Sequence, residues 1–314
     1  MKAPTTIAPA IVSVLFSLGL AVTGPPALAE TSGVSDLIQN FPVGPGPDGM
    51  AFDGANIWVT SAYGDHITEL RASDGALLGS FYGGNDQREA TFDGTYIWIT
   101  NFYDHTVTRL RASDGTLADT FLIGYTPVGI VFDGLNIWIA HYSFGVITKM
   151  RASDGTILAV FPIGAEVVDL AFDGEHIWAT DRSGGQVIRL RASDGSKAGR
   201  IPVGSAPWGI LFDGSSIWAT SLPNGVTKIN AHDGTVLGTF SVNNYPGGLG
   251  FDGKRIWVAG VGGDPSLVSL SRRSGRVERA YNLGGESQAI IFDGTSIWVS
   301  NSGNDTVSKI TPNR

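Results

Sequence analysis

The stretch Phe92-Asp-Gly-Thr-Tyr-Ile-Trp98 is repeated along the 314-residue chain with little change outside its fourth and fifth positions. The seven copies begin at Phe52, Phe92, Phe132, Phe172, Phe212, Phe251 and Phe292. Successive copies are 40, 40, 40, 40, 39 and 41 residues apart, so the repeats are structural units in register with one another. A regular period of this length is typical of repeat architectures, and it restricts the fold before any other feature is considered.

The third repeat shows what each unit contains. Gly129–Phe132 is a short apolar run, which indicates a strand buried on both faces. Asp133-Gly134 then favours a tight turn, because glycine accepts a positive φ. Residues 137–140, 146–150 and 157–163 read as a second, a third and a fourth strand. Four antiparallel strands in each of seven repeats predict an all-β, seven-bladed β-propeller, with the tryptophans packed between blades.

The two ends of the chain predict how the ring closes. Residues 37–43 match the fourth strand of other repeats, such as residues 117–123, whereas the last repeat supplies only three strands before the chain ends. We therefore expect residues 36–43 to form the outer strand of the seventh blade. This pairing joins the termini and removes an exposed sheet edge.

The first residues have the pattern of a secretory signal peptide. Lys2 precedes an apolar stretch over residues 7–22, and Ala27-Leu-Ala29 is a small-residue cleavage site. The stretch is shorter than the ~20 residues that span a bilayer. We predict a signal peptide over 1–29 cleaved after Ala29, a linker over 30–35 and one propeller domain over 36–314. The mature protein is then periplasmic or secreted, with no stable membrane span, and we expect a monomer.

Composition excludes several kinds of site. The chain has no cysteine, which removes thiol catalysis and zinc–thiolate centres from consideration. Its formal net charge of −8 disfavours nucleic acid as a partner, because phosphate binding depends on lysine and arginine. We expect no organic cofactor, and a divalent cation is the one alternative considered below.

Several segments resemble the YncE/YVTN family of seven-bladed propellers, which belongs to the quinoprotein amine dehydrogenase-like superfamily. The resemblance is carried by Ile57–Thr60, Ile97–Asn101, Ile297–Asn301 and Gly124–Gly129. It implies the propeller fold and a secreted or periplasmic location, but no single chemistry. A weaker resemblance to virginiamycin B lyase and gluconolactonase-like propellers implies a metal or catalytic histidines at the channel mouth, although no motif of theirs transfers residue by residue.

Residues that break the repeat are the candidate site. Three positions before each repeat phenylalanine, four copies have glycine and one has alanine, whereas Glu89 and Asp169 are acidic. Just past the second strand lie His141 and Asp181, which we align with the same channel mouth. Together these four residues suit a divalent cation, and Glu89, Asp169 and His141 are the catalytic candidates. The alternative, which we favour, is that the acidic groups form ion pairs with arginines.

The same face of the predicted ring carries aromatic residues. Trp208 is the eighth tryptophan and lies outside the repeat position. Clustered aromatic side chains can form a platform for a flat ligand, a sugar or a peptide, or they can simply cover loop backbones. The predicted ligand-binding residues are Trp208, Tyr103, Tyr125, Tyr142, Arg88, Arg182 and Asn101.

These features favour a non-catalytic binding or scaffold propeller that is exported. Its variable face around the central channel would bind a small ligand, a glycan or a protein partner. The alternative is a divalent-metal-dependent hydrolase or lyase acting at the channel mouth. That alternative requires Glu89, Asp169, His141 and Asp181 to lie close together.

Overall fold

The computed structural model describes residues 36–164, 166–242, 245–262 and 265–312. Every regular element in these ranges is a β-strand, and the strands form seven four-stranded antiparallel sheets. The predicted signal peptide, its cleavage after Ala29 and the linker over 30–35 lie outside the described residues.

The described part of the chain contains no helix long and apolar enough to cross a membrane.

Each sheet is one blade of four hydrogen-bonded strands, which follow chain order from the inner to the outer edge except in the blade whose outer strand comes from the N-terminal part of the chain. Blade 1 consists of β2 (Pro47–Phe52), β3 (Asn56–Ser61), β4 (His66–Arg71) and β5 (Leu77–Tyr82). Blade 2 consists of β6 (Gln87–Phe92), β7 (Tyr96–Asn101), β8 (Thr106–Arg111) and β9 (Leu117–Leu122). Blade 3 consists of β10 (Pro127–Phe132), β11 (Asn136–His141), β12 (Val146–Arg151) and β13 (Ile157–Pro162).

The remaining blades repeat this order. Blade 4 consists of β14 (Val167–Phe172), β15 (His176–Asp181), β16 (Gln186–Arg191) and β17 (Lys197–Pro202). Blade 5 consists of β18 (Ile210–Phe212), β19 (Ser216–Ser221), β20 (Gly225–Asn230) and β21 (Val236–Ser241). Blade 6 consists of β22 (Pro246–Phe251), β23 (Arg255–Gly260), β24 (Leu267–Ser271) and β25 (Val277–Tyr281). Blade 7 consists of β26 (Ser287–Phe292), β27 (Ile297–Asn301), β28 (Thr306–Thr311) and β1 (Leu37–Pro42).

The N-terminal strand closes the ring, as the sequence predicted. β1 pairs antiparallel with β28, from Leu37 opposite Thr311 to Pro42 opposite Thr306. The ring of Phe41 packs on Trp298, with 5.6 Å between the ring centroids. The same outer-strand aromatic contact recurs within other blades, for example between Phe161 and Trp138 at 5.6 Å. The fold is therefore a closed seven-bladed all-β propeller.

The aspartate and the tryptophan of the repeat are joined by a hydrogen bond in every blade. The indole Nε1–H donates to the aspartate five residues earlier, over distances of 2.6–3.0 Å. In blade 3 the other carboxylate oxygen of Asp133 accepts the backbone N–H groups of Leu135 and Asn136. All seven indole rings are fully buried. An indole N–H buried without a partner costs about 1–3 kcal/mol, which explains why the two residues occur together.

Hydroxyl groups connect most blades to the next one. The residue two positions after the tryptophan donates to a backbone carbonyl at the start of the following blade, at 2.7–3.0 Å. The donors are Thr60, Thr100, Thr180, Thr220 and Ser300. Ser300 donates to Asp48, so this contact also links blade 7 to blade 1.

Basic side chains of the third strands form a second link between blades. Each one lies over the repeat tryptophan of its own blade, 4.9–5.3 Å from the ring centroid, and donates to turn carbonyls of the next blade. These residues are Arg109, Lys149, Arg189, Lys228 and Lys309. Blade 6 has Ser269 at this position, and there Arg279 and Tyr281 instead bind Asp36, next to the outer strand of blade 7.

Replacing Lys309 by methionine tests the contribution of its hydrogen bonds between blade 7 and blade 1. The buried Lys309 ammonium donates to the carbonyls of Ala72 and Ser73 at 2.6 and 2.8 Å. Lys309→Met keeps the stem of the side chain but removes both charged hydrogen bonds. We expect a loss of about 2 kcal/mol in unfolding free energy, or roughly 4–6 °C in Tm. Differential scanning calorimetry measures the change in Tm, with Lys254→Met, at an exposed position, as the control. Equal Tm values for the two variants would contradict a stabilising role of the Lys309 ammonium.

Candidate functional site

A cavity of about 250 Å³ lies at one mouth of the central channel. Its walls come from the first residues of the inner strands and from residues that follow the second strands. The lining residues are Asp48, Arg88, Glu89, Phe102, Val128, Gly129, Tyr142, Val168, Asp169, Trp208, Gly209, Gly248 and Gln288.

Two consecutive positions of each repeat form most of this lining, namely those four and three residues before the repeat phenylalanine. In six blades the register between the first and second strands shifts at these two residues. A β-bulge of this kind leaves residues unpaired and re-aims their side chains. This is why neighbours in sequence, such as Arg88 and Glu89, both reach the cavity.

Close packing of the inner strands explains the small residues in this ring. A Cβ atom on Gly49 would lie 2.5 Å from the Arg88 carbonyl oxygen, and one on Gly129 would lie 2.5 Å from that of Val168. Glu89 and Asp169 are the charged residues at the same repeat position. Each has glycine at that position in both adjacent blades, so the glycines leave room for the two carboxylates.

The two acidic side chains are held in different ways. Asp169 accepts the backbone N–H of Leu170 at 2.7 Å and that of Ile210, in the next blade, at 3.0 Å. Glu89 lies against blade 1, where its Oε2 is 2.7 Å from the position a Cβ on Gly49 would take. Among the described residues, neither carboxylate forms an ion pair with lysine or arginine.

The arginines of the site have other partners, so the favoured ion-pair interpretation is wrong for Glu89 and Asp169. Arg88 binds Asp48 at 3.3 Å and Asp86 at 2.8 Å. Arg182 donates to the Tyr142 hydroxyl at 2.6 Å and lies 3.4 Å from the Glu166 carboxylate. The positive charges are thus neutralised outside the acidic pair.

Burial raises the pKa of three cavity carboxyl groups. The pKa of Asp169 rises to about 6 because burial penalises its charged form. Burial also raises the pKa of Asp48 to about 6, although its ion pair with Arg88 opposes the shift. The pKa of Glu89 is raised well above its usual value, by burial first and then by the charges of Asp169 and Asp48. Between the ordinary pKa of a carboxyl group and these raised values, the folded protein therefore keeps protons that the unfolded chain releases.

An aromatic wall lines the same cavity as the carboxylates. The wall consists of Phe102, Tyr142 and Trp208. The Arg182 guanidinium lies 5.8 Å from the ring centroid of Tyr142 and 5.6 Å from that of Trp208. Arg88 lies 5.2 Å from the centroid of Phe102. Trp208 is 40% exposed, whereas the repeat tryptophans are fully buried. The two arginines thus pack against the rings of these three aromatic residues.

Three predicted site residues do not line the cavity, which corrects the expectation that they face the channel. Asn101, His141 and Asp181 are buried inside their own blades. The His141 Nε2 lies 2.8 Å from the Thr148 hydroxyl, and burial lowers the histidine pKa to about 4. Asp181 accepts the side-chain amide of Gln186 at 2.7 Å. These side chains fasten the loop between the second and third strands.

The physical reason is the two-residue period of a strand. A shift of one residue moves a side chain to the opposite face, and the cavity is lined by the next residues, Phe102 and Tyr142. The predicted ligand residues Tyr103 and Tyr125 also lie off the cavity. Tyr103 is 66% exposed, and Tyr125 packs on Phe144 with 4.4 Å between ring centroids.

The structure brings together only half of the hypothetical metal site. Glu89 and Asp169 line one cavity, whereas His141 and Asp181 do not. Within the ranges that the structure describes, no three His, Asp or Glu side chains are grouped so that they could hold a metal ion.

Four residues that line the cavity were not predicted from the sequence, namely Asp48, Val128, Val168 and Gln288. Alignment of the position four residues before each phenylalanine would have revealed them.

Comparison with solved structures finds similar propellers. A catalytically inactive virginiamycin B lyase from Staphylococcus aureus with quinupristin has a TM-score of 0.77 and 19% identity, covering 89% of this chain and 100% of that one. A streptogramin B lyase has a TM-score of 0.74 and 20% identity over 88% and 98% of the two chains. Kuenenia stuttgartiensis hydrazine synthase has a TM-score of 0.77 and 16% identity over 91% and 99%. At these identities the likeness shows the fold alone.

No protein-family model and no curated protein matches the sequence. Membership of the YncE/YVTN family therefore stays a prediction.

Replacing Glu89 by glutamine tests the cost of the buried charges. A raised native pKa means that the folded state binds more protons than the unfolded chain, so ionisation of Glu89 lowers stability as pH rises. The raised pKa of Glu89 comes first from burial and then from the charges of Asp169 and Asp48, while a hydrogen bond from the Ala90 N–H opposes it. We expect Glu89→Gln to raise the Tm at pH 8, by about 2–4 °C for each kcal/mol gained, and to change it little at pH 4.

Thermal unfolding from pH 4 to 8 provides the measurement. The exposed Glu286→Gln, which removes the same charge from the same side of the ring, is the control and should give no pH-dependent difference. A lower Tm for Glu89→Gln at pH 8 would show that the Glu89 charge stabilises the fold.

Proposed function

We propose that this protein is a binding propeller that takes a small organic ligand into the cavity at the mouth of its channel. The proposal rests on one observation, namely that three features of a ligand site occur together at the mouth of the channel. Carboxyl groups without ion pairs, aromatic side chains and a cavity meet here, and most blades have glycine or alanine at the position of the two carboxyl groups. Binding sites have this composition, an apolar lining with a few polar groups that fix orientation.

The stability of the fold supports a functional reason for the acidic pair. Two carboxylates with raised pKa values lower stability at neutral pH, so packing alone does not favour them. Glycine at this repeat position would serve the scaffold, as it does in blades 1 and 3. Residues that cost stability and lie in a cavity are typical of functional sites.

The size of the cavity favours a small molecule over a protein or a long glycan. A space of about 250 Å³ is near the lower end of the range for ligand pockets, roughly 300–1,000 Å³. Cleavage of the predicted signal peptide would place the protein in the periplasm or outside the cell, and the ligand would be met there. Export of the protein through this signal peptide is therefore part of the proposal.

A lyase or hydrolase reaction is the second candidate. It is favoured by the similarity of the fold to that of virginiamycin B lyase. It is also favoured by the raised pKa values of two carboxyl groups in one cavity, those of Glu89 and Asp169. Such a pair can divide acid and base roles. Because His141 lies inside blade 3, the proton transfers would fall to Glu89 and Asp169.

Trp208→Ala tests the binding function. A thermal-shift screen of cationic, neutral and anionic small molecules should find compounds that raise the Tm of the protein. We expect Trp208→Ala to weaken such hits about tenfold or more, because it removes the most exposed surface of the aromatic wall. The matched control is Tyr63→Ala, an 81% exposed aromatic residue that does not line the cavity. Hits that bind both variants equally would place the ligand elsewhere.

Turnover distinguishes the second candidate from the first. Incubation of the protein with quinupristin and with simple lactones, followed by liquid chromatography, should leave each compound unchanged if the cavity only binds. A ring-opened product that disappears in both Glu89→Gln and Asp169→Asn would instead establish catalysis by the carboxylate pair.

A further inference from the structure

We propose that the cavity binds a protonated primary amine attached to a single apolar ring, that is, an arylalkylamine. The inference rests on the proposed function, because it names the chemical class of the ligand for the same cavity. It is carried by the presence, in one cavity, of two carboxyl groups without ion pairs and of aromatic and aliphatic side chains.

The charge balance calls for a cation. Arg88 is the only basic residue among those lining the cavity, and it is already bound to Asp48 and Asp86. Within the described part of the chain, Glu89 and Asp169 have no basic partner. Burial favours the protonated forms of both groups, so a ligand with one positive charge would stabilise their ionised forms, whereas an anion would gain no such attraction.

The donor set suits an ammonium group better than a metal ion. Both Asp169 oxygens already accept backbone N–H bonds, so they are oriented by the fold and keep only their remaining lone pairs for a ligand. An ammonium donates up to three hydrogen bonds and needs no closed shell of ligands. Calcium takes six to eight oxygen ligands, but no group of three potential metal ligands exists among the described residues.

The rest of the wall suits an apolar body of limited size. Val128, Val168, Phe102, Tyr142 and Trp208 line the cavity beside the carboxylates. An apolar cavity of about 150 Å³ holds one benzene molecule, so a space of about 250 Å³ holds a ring and a short chain. The aromatic faces also attract a nearby cation. A single ring on a two-carbon chain therefore matches both the volume and the lining.

Isothermal titration calorimetry with three probes of similar shape tests the charge requirement. The probes are 2-phenylethylammonium, the neutral 2-phenylethanol and the anionic 3-phenylpropanoate, each added to the full protein at pH 7.5. We expect the amine to bind at least tenfold more tightly than the alcohol, and the carboxylate to give no heat of binding. Because Trp208 is the exposed tryptophan, its fluorescence should change with the amine in parallel.

Two variants and a matched control test the assignment of the carboxylates. Glu89→Gln and Asp169→Asn should each weaken the amine about tenfold or more, and leave the alcohol unchanged within twofold. Glu286→Gln removes a charge on the same side of the ring but outside the cavity, and it should keep the amine affinity within twofold. If Asp169→Asn does not fold, Glu89→Gln alone decides, because Asp169 accepts the Ile210 N–H of the next blade, whereas the Glu89 carboxylate lies against Gly49 of blade 1.

The outcomes separate this inference from the proposed function. Equal or tighter binding of the alcohol or the carboxylate would overturn the amine assignment and leave a binding propeller. Displacement of the amine by equimolar calcium or magnesium would overturn it in favour of a metal site. Absence of binding by all three probes also overturns it, and the broader thermal-shift screen then decides the proposed function independently.

Discussion

The structure depends on one interaction, the hydrogen bond from each repeat indole to the aspartate five residues earlier. It allows a large ring to be buried completely between blades without leaving an unpaired donor. The same aspartate orders the turn between the first two strands, so one side chain sets both the turn and the blade packing. Basic residues then lie over the indoles and bind the neighbouring turn. The repeat is therefore a unit of interblade contact.

A rigid ring of this kind leaves little freedom at its axis. The inner strands approach so closely that Gly49 and Gly129 have no space for a side chain. Glu89 and Asp169 occur between such glycines, and burial makes their charged forms costly. The scaffold supplies stability through contacts far from the axis and accepts a destabilising group at the channel mouth. This division is common where a repeat fold carries a site.

The sequence predicted the fold almost completely because the fold follows from local and repeated contacts. The period, the turn residues and the unpaired strand at residues 36–43 were sufficient for blade number and ring closure. The site was predicted less well. Glu89, Asp169 and Trp208 were identified because they break the repeat, Arg88 and Tyr142 because they lie near them, and all five line the cavity. Asn101, His141 and Asp181 were placed one residue out of phase, so their side chains belong to the blade interior.

The sequence by itself determined the seven blades, the strand order and the positions where the repeat is broken, because spacing and turn chemistry are properties of the chain. Only the tertiary structure decided which of those exceptions meet. A β-bulge directs both Arg88 and Glu89 into the cavity. A residue of another blade, Ile210, orients Asp169 by donating its N–H to the carboxylate. Burial raises the pKa of Asp169 to about 6. These properties come from packing across the ring and have no signature in any single repeat.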